Sequence, residues 1–112
     1  MANSKMEDEV DKEYIQDRYG NTIYITDERW EHIYEEHPDM IGYDRHVLET
    51  LRHGKRIQDE LNPNKYFYNK SFGDLSDLNN HVVVVVKFGW VTDENDQEIP
   101  NNFVLTAYQN FF

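Results

Sequence analysis

The chain has 112 residues, a net charge of −11 and 14% aromatic residues, and it contains no cysteine. At this length a single domain is the default, and the aromatic content is typical of a chain that buries a core. The lack of cysteine excludes disulfides, thiolate catalysis and cysteine-ligated zinc. Phosphate binding normally rests on lysine and arginine, so a chain this acidic would need a local basic patch, or a partner, to bind nucleic acid.

The first stretch, residues 1–13, is acidic and has no apolar segment of the kind found in secretory signals. No apolar run approaches the ~20 residues of a membrane span, and the longest is Val82–Val86. We therefore expect a flexible acidic N-terminal segment over residues 1–13 and a single domain over residues 14–112. We also expect no association with membranes and a cytoplasmic location.

Gly20-Asn21 separates two stretches that are rich in β-branched and aromatic residues. Glycine and asparagine suit the two central positions of a tight turn, so this pattern predicts an N-terminal β-hairpin over residues 14–25. A helix over residues 6–18 is the alternative, because Val10 and Tyr14 lie four positions apart.

A first helix is predicted after the hairpin. Thr26 or Asp27 is a suitable N-cap, and Pro38 should end the helix near His37, because proline disfavours helical geometry at the residue before it. The helical stripe consists of residues spaced at i, i+3, i+4 and i+7, namely Trp30, Ile33, Tyr34 and His37.

A second helix should run from about residue 44 to residue 53. Its apolar stripe is formed by Val47, Leu48 and Leu51. Gly54 follows directly, and glycine at this position commonly stops a helix by adopting a left-handed conformation.

The rest of the sequence alternates between β-rich segments and polar loops, the last of which covers residues 92–101. Short loops between successive strands favour antiparallel pairing. We expect a roughly four-stranded antiparallel sheet, with strands over residues 56–60, 65–72, 81–90 and 102–108. The predicted fold class is therefore α+β, with an N-terminal hairpin, two helices and then this sheet.

The valine-rich strand has two different faces, because side chains alternate along a strand. One face is wholly apolar and should point to the core: Val82, Val84, Val86, Phe88 and Trp90. The other face carries His81 and Lys87 at its two ends. On the last strand Val104, Thr106 and Tyr108 share a face. If that face lies beside Lys87, a lysine, a threonine and a tyrosine could together bind and polarise a phosphate, although threonine and tyrosine are also common in strands without any such role.

Two histidines in the first helix are candidates for acid–base chemistry, since histidine has an ordinary pKa near neutrality. His37 lies on the Trp30 stripe, where it could equally be a helix-terminal residue stabilised by the dipole. His32 lies on the opposite side and could equally be a surface residue paired with Glu28 or Glu36. The histidines are five positions apart and so lie on different faces, unlike the paired histidines of zinc-peptidase helices. We therefore expect no metal site and no cofactor.

Several short motifs resemble one group of small bacterial and phage-associated domains. They are Asp17-Arg18-Tyr19-Gly20-Asn21, Ile23-Tyr24-Ile25-Thr26, Arg29-Trp30-Glu31-His32-Ile33, His37-Pro38-Asp39-Met40 and the closing Val104-Leu105-Thr106-Ala107-Tyr108. These domains are grouped with the barnase–EndoU–colicin–RelE-like (BECR) ribonucleases, some of which are toxins. The resemblance covers about residues 14–110.

This resemblance implies helices followed by a four-stranded antiparallel sheet. It also implies metal-independent RNA cleavage, in which the 2′-hydroxyl attacks the adjacent phosphate with help from a base, an acid and a cation. Carried over by position, His32 and His37 match the helix histidines, and Thr106 and Tyr108 match the terminal strand. No family motif fixes the cation, for which Arg56, Lys65 and Lys87 are the candidates from the sequence. The partners implied are RNA and a protein such as an antitoxin.

Two other functions remain open. RNA-cleaving toxins of this kind are often basic, so a chain at −11 could be a relative without catalysis that serves as an acidic protein-interaction module. Aromatic residues beyond the needs of one small core favour such a surface: Tyr66, Phe67, Tyr68, Phe72, Phe111 and Phe112. A metal-dependent hydrolase using the histidines with Glu36 or Asp39 is the third hypothesis.

Overall fold

The structure is a computed structural model that describes residues 11–112. Most of the predicted flexible segment, residues 1–13, lies outside the described residues. The first strand begins at Lys12, so the last two residues of that segment belong to the folded domain. The strand also confirms the hairpin prediction over the helical alternative for residues 12–16.

Residues 11–112 contain two α-helices and eight strands. In chain order they are β1 (Lys12–Gln16), β2 (Thr22–Thr26), α1 (Asp27–Glu36), α2 (Asp44–His53), β3 (Lys55–Gln58), β4 (Lys65–Ser71), β5 (His81–Lys87), β6 (Trp90–Thr92), β7 (Glu98–Pro100) and β8 (Asn102–Asn110). A short 3₁₀ turn, Pro38–Met40, joins the two α-helices. The fold is α+β, as predicted.

The main sheet has six strands in the order β1-β2-β8-β5-β4-β3, which differs from the expected four-stranded antiparallel sheet. The N-terminal hairpin joins the sheet because β2 pairs with β8 in parallel, through Ile23 with Asn102 and Tyr24 with Phe103. The other pairings within this sheet are antiparallel. The region expected to be a polar loop, residues 92–101, instead contributes to a separate two-stranded hairpin of β6 and β7.

The connection between β1 and β2 is a five-residue loop, Asp17 to Asn21, rather than the expected two-residue turn. The Asp17 carboxylate accepts hydrogen bonds from the backbone N–H of Tyr19 (2.9 Å) and of Asn21 (2.8 Å). Gly20 adopts a φ of +89°, a conformation that favours glycine. The sequence prediction missed this loop because it did not assign Asp17 a role in organising the backbone.

Both helices have the predicted boundaries. The Thr26 hydroxyl caps α1 by accepting from the Arg29 N–H at 3.1 Å, and His37 follows the last helical residue. Gly54 ends α2 as expected, but its φ is −72°, so its role is not the left-handed conformation. Glycine is needed here because the backbone of residue 54 packs closely against two carbonyl groups. A Cβ at this position would lie 2.5 Å from the Thr50 carbonyl oxygen and 2.6 Å from the Asn69 carbonyl oxygen.

We expect Gly54→Ala to destabilise the domain by about 1–3 kcal/mol, because the new methyl group would overlap two backbone atoms that cannot rotate away. Urea unfolding followed by circular dichroism measures the change. Gly73→Ala is the matched control, since nothing lies within 4 Å of a Cβ at Gly73. Equal stability of the two variants would contradict the close-packing role of Gly54.

The core lies between the helices and one face of the sheet. Val82, Val84 and Val86 are fully buried in it, as predicted, but Trp90 is 66% exposed in the separate hairpin. The expected face of β8 is also corrected. A bulge opposite Val85 and Val86 places Val104 and Ala107 on the core side, while Thr106 and Tyr108 pair with Val85 and Val83 on the other side. We call this second side the open face because it lies away from the core cluster, although its central valines, Val83 and Val85, are only 3% and 5% exposed.

Some of the aromatic residues expected at the surface belong to the core. Tyr68 is fully buried, whereas Phe111 and Phe112 are 65% and 62% exposed. Tyr66 and Phe72 are partly buried and pack against the core cluster. Within the described residues, no helix is both long enough and apolar enough to cross a membrane.

Candidate functional site

A row of paired residues crosses one end of the open face. Lys55 on β3 pairs with Asn69 on β4, which pairs with Val83 on β5, which pairs with Tyr108 on β8. Directly paired residues place their side chains on the same face of a sheet. The ring of His37 lies beside the Tyr108 ring, with centroids 5.7 Å apart. The row therefore carries a lysine at one side and a tyrosine–histidine contact at the other.

A second polar row runs next to the first, through Ser71, His81 and Asn110. His81 is two positions from Val83 and so lies diagonally across from Tyr108 on the open face. One ring nitrogen of His81, Nδ1, is 2.8 Å from the Asn80 side-chain oxygen, and its ring packs against Phe112 with centroids 4.6 Å apart. Tyr108 thus has a histidine in ring contact and a second one on the neighbouring strand.

A pocket of about 350 Å³ opens at this end of the sheet, and we call it the basic pocket. It is lined by residues from the β1–β2 loop, the end of α2 and strands β3 to β5: Arg18, His53, Gly54, Lys55, Asn69, Lys70, Ser71 and His81. Five of these eight are arginine, lysine or histidine, and none is acidic. In a chain with twice as many acidic as basic residues, this is a local reversal of the charge balance.

The rim of the basic pocket is held by Arg18. Its guanidinium donates to the backbone carbonyl of His53 at 3.2 Å. That carbonyl belongs to the last turn of α2, where the helix dipole favours a positive charge. The contact fixes one cation of the pocket to the end of a helix that is itself anchored in the core through Val47 and Leu51.

Thr106 lies on the open face, two positions from Tyr108 and opposite Val85. The sequence predicted that Thr106 and Tyr108 share a face, but it wrongly included Val104 on that face. Its hydroxyl is buried and makes no hydrogen bond within residues 11–112. Buried hydroxyls are normally paired, so this one has unused hydrogen-bonding capacity beside Tyr108.

Lys87 and Lys65 lie away from Tyr108. They pair with each other across β5 and β4, and Lys87 also pairs with Phe103. Lys87 is four residues from Val83 along β5, which is about 13 Å. The structure therefore separates these two predicted cations from the Tyr108–His37 contact, although Lys87 shares the open face with Tyr108.

His32 is not brought to His37. It lies on the exposed side of α1 with ring nitrogens 3.8 Å from the carboxylates of Glu28 and Glu35. The surface alternative given by the sequence describes this placement for Glu28, whereas the second carboxylate is that of Glu35 and not Glu36. Its match to the family's helix histidines remains a prediction that the geometry does not support.

Arg56 lies on the core side of the sheet, where four aromatic rings surround it. Its guanidinium carbon is 4.3 Å from the ring centroid of Tyr19 and 4.4 Å from that of Tyr66, with Phe88 at 5.5 Å and Tyr68 at 6.0 Å. It donates to the Tyr68 hydroxyl at 3.2 Å, and the same nitrogen, Nη1, is 3.7 Å from the buried Asp17 carboxylate.

Asp17, Tyr68 and Arg56 form a connected buried network, in which the Tyr68 hydroxyl donates to the Asp17 carboxylate. Burial alone would raise the pKa of Asp17, but hydrogen bonds from Tyr68, Asn21 and Tyr19 outweigh it and hold that pKa below its ordinary value. Burial and the hydrogen bond to Asp17 raise the pKa of Tyr68, which keeps its hydroxyl protonated. The network is a neutral tyrosine between a carboxylate and a guanidinium.

Among residues 11–112, no three or more histidine, aspartate and glutamate side chains are grouped in a way that could hold a metal ion. The sequence reasoning missed most residues of the basic pocket. His81 was recognised at the end of its strand, but Arg18, His53, Lys55 and Lys70 come from separate elements that only the tertiary fold brings together.

Comparison of the chain with protein-family models, with curated proteins and with solved structures gave no significant match. The similarity of the short motifs to BECR ribonucleases therefore remains a prediction from the sequence.

Proposed function

We propose that this chain is a metal-independent endoribonuclease that binds RNA at the polar end of its open face. The observation that carries the proposal is the continuity of the basic pocket with the Tyr108–His37 contact. Lys55 and Asn69 belong both to the pocket and to the row that ends at Tyr108. An RNA strand with one phosphate in the pocket would run along this face, over three strand spacings or about 14 Å from Lys55 to Tyr108, and so place another phosphate at the acid–base groups.

The chemistry requires three roles. The RNA 2′-oxygen bonds to the adjacent phosphorus while the bond to the 5′-oxygen breaks, which gives a 2′,3′-cyclic phosphate and a 5′-hydroxyl. In the proposal His37 accepts the 2′-hydroxyl proton and His81 protonates the departing 5′-oxygen. Tyr108 donates a hydrogen bond to a phosphoryl oxygen, whereas the buried Thr106 hydroxyl stays out of contact with the phosphate. Lys55 binds a neighbouring phosphate of the strand from the basic pocket.

In this proposal the phosphate-binding cations are those of the basic pocket. They are not the three candidates expected from the sequence, Arg56, Lys65 and Lys87. Lys65 and Lys87 lie at the other end of their strands from the basic pocket, and Arg56 faces the core side of the sheet. His32 is left outside the acid–base pair because its neighbours are surface glutamates. Toxin activity and control by an antitoxin would be further consequences of this proposal.

The proposal is tested by incubating the purified chain with end-labelled RNA in the presence of EDTA. We expect fragments that carry a 2′,3′-cyclic phosphate, detected by mass spectrometry, and no cutting of the same sequence in DNA, which lacks the nucleophile. Intact RNA at a large excess of protein would refute the proposal.

Charge removal in the basic pocket should weaken RNA binding in a salt-dependent way. For a single strand, removal of one cation that binds a phosphate should reduce the slope of log affinity against log salt by about 0.7. We therefore expect Lys55→Ala and Lys70→Ala each to lower both affinity and slope, as measured by fluorescence anisotropy over a salt series. Arg45→Ala is the control, because it removes an exposed cation of α2 that lines neither the basic pocket nor any other proposed RNA contact. An equal effect of Arg45→Ala would show that only overall charge matters.

A non-catalytic interaction module is the second candidate. The observation in its favour is β3, which is an edge strand of the six-stranded sheet and exposes Ile57 at 65%. Edge strands can pair with an added strand of a partner. Sedimentation that does not change with concentration, alone or with added candidate partners, would count against this function.

A further inference from the structure

A second cleft, of about 310 Å³, lies at the other end of β4 from the basic pocket. It is lined by amide, aromatic and small residues from the β1–β2 loop, the β3–β4 loop and the β6–β7 region: Asn21, Asn64, Phe88, Gly89, Trp90, Pro100 and Asn102. We call it the amide–aromatic cleft. None of these seven residues is charged, although 29% of the chain is. Its chemistry therefore fits a neutral, hydrogen-bonding, flat ligand.

The three amides of the cleft differ in how they are used. Asn102 is satisfied, since it donates to the Thr22 carbonyl at 3.1 Å and accepts from the Gly89 N–H at 3.3 Å. Asn21 uses its NH₂ group on Asp17. The Asn64 side chain has no hydrogen-bond partner within residues 11–112, so a donor and an acceptor remain side by side at the cleft. A side-chain amide of this kind matches the paired donor and acceptor on a nucleobase edge.

The aromatic residues of the cleft offer a stacking surface. Trp90 is 66% exposed and is absent from the core cluster, so its ring is available to a ligand. Phe88 is half-buried and packs against Tyr66 with ring centroids 5.0 Å apart, which fixes its position. Bases stack on exposed aromatic rings in many proteins that bind single strands.

A cation adjoins the cleft through Phe88. This ring both lines the cleft and lies 5.5 Å from the Arg56 guanidinium. Arg56 directs one nitrogen, Nη1, to Tyr68 and Asp17, while Nε and Nη2 have no partner among the described residues. The surrounding rings hold this guanidinium in place, so its remaining donors are prepared for an anion. A flat neutral group beside an anion is the pattern of a nucleotide.

We propose that the amide–aromatic cleft binds one base of single-stranded RNA, stacked on Trp90 and hydrogen-bonded to Asn64, with a flanking phosphate at Arg56. The identification of the ligand as RNA rests on the proposed function. The length of β4, which runs from Lys65 to Ser71, places this site about 20 Å from the basic pocket. A strand that spans both would be bound at two points, by charge at the first and through a base at the second.

The test uses a fluorescently labelled 2′-O-methyl RNA nonamer, which lacks the nucleophilic hydroxyl and so reports binding without cutting. We expect Trp90→Ala to weaken its binding by at least about fivefold, the usual effect of losing one stacked base. Asn64→Ala should weaken it severalfold. Asn95→Ala is the matched control, because Asn95 is an exposed loop asparagine outside the cleft. Circular dichroism verifies that each variant is folded.

Intrinsic fluorescence supplies a second readout. The chain has two tryptophans, so in a Trp30→Phe variant the signal comes from Trp90 alone. We expect the nonamer to quench it, and inorganic polyphosphate or a neutral oligosaccharide to leave it unchanged. Equal binding by Trp90→Ala, Asn64→Ala and the parent chain would overturn the inference even if the parent cuts RNA. Quenching by polyphosphate or by the oligosaccharide would also overturn it. Quenching by the nonamer without any RNA cleavage would support the cleft and refute the nuclease.

Discussion

Replacement of His37 by alanine is expected to slow RNA cleavage by about 10²–10⁴-fold, the usual contribution of a general acid or base. The expectation follows from the ring contact between His37 and Tyr108, which places an imidazole at the end of the polar row. Single-turnover cleavage of labelled RNA measures the rate, and urea unfolding reports stability. His37 is partly exposed beyond the end of α1, so the fold should persist.

Two further variants sharpen this result. Tyr108→Phe keeps the aromatic contact with His37 and removes only the hydroxyl, so a slower rate at unchanged stability would assign the hydroxyl a role in the reaction. The same alanine substitution at His32 should leave the rate near that of the parent, because His32 lies among surface glutamates. Parent-like rates in both His37→Ala and Tyr108→Phe would remove these groups from the mechanism.

Replacement of Asp17 by alanine is expected to destabilise the domain by about 3–5 kcal/mol. The buried carboxylate accepts hydrogen bonds from the Tyr68 hydroxyl and from the N–H groups of Tyr19 and Asn21, and it faces the Arg56 guanidinium. Alanine would leave these donors without their acceptor in a site that excludes water. Equilibrium unfolding in urea measures the decrease in stability.

Asp59→Ala is the matched control for Asp17→Ala. Asp59 also accepts from two backbone N–H groups in a loop, those of Leu61 and Asn62, but its side chain is partly exposed. We expect a much smaller decrease there, since water replaces the missing carboxylate. Similar decreases at both positions would show that the buried network adds nothing beyond an ordinary loop interaction.

Acid should reduce the difference in unfolding free energy between the parent chain and the Asp17→Ala variant. The pKa of Asp17 in the folded chain lies below its ordinary value of 3.8. A carboxylate with a lowered folded pKa stabilises the fold above its ordinary pKa, and this contribution disappears as the pH falls through the folded value. The stability difference between parent and variant should therefore shrink below about pH 4. A constant difference down to pH 2 would contradict the charged state of Asp17.

The helices could be predicted from the sequence because their signals are local. Thr26 as N-cap, the proline after His37 and the glycine after His53 each act within one helical turn, and the observed boundaries agree with them. The strand order of the main sheet could not be predicted in this way. The β2–β8 pairing joins Ile23 to Asn102, and no residue near either position indicates that pairing. The bulge opposite Val85 and Val86 likewise changes which residues of β8 face the core. Strict alternation of side chains along a strand does not predict such a bulge.

The candidate site was only half visible in the sequence for the same reason. Thr106 and Tyr108 were correctly placed on one face because that face follows from strand periodicity. Lys55 lies close to Arg18 and His81 only because α2 positions β3 at the edge of the sheet. This arrangement depends on the tertiary structure and not on local sequence. Net charge also misled, since the chain is acidic as a whole while three of its eleven lysines and arginines, Arg18, Lys55 and Lys70, line one pocket together with two histidines.

The position of β8 between β2 and β5 has a consequence for how the domain folds. β8 is the last strand in chain order, yet it joins the N-terminal hairpin to the β3–β4–β5 meander. Because β8 lies between them, those two pieces cannot become one sheet until β8 has emerged from the ribosome, and such long-range pairing is slow. Because Tyr108 lies on β8, the proposed active site would be assembled in this final step, so an incompletely synthesised chain would hold most of the sheet but no complete site.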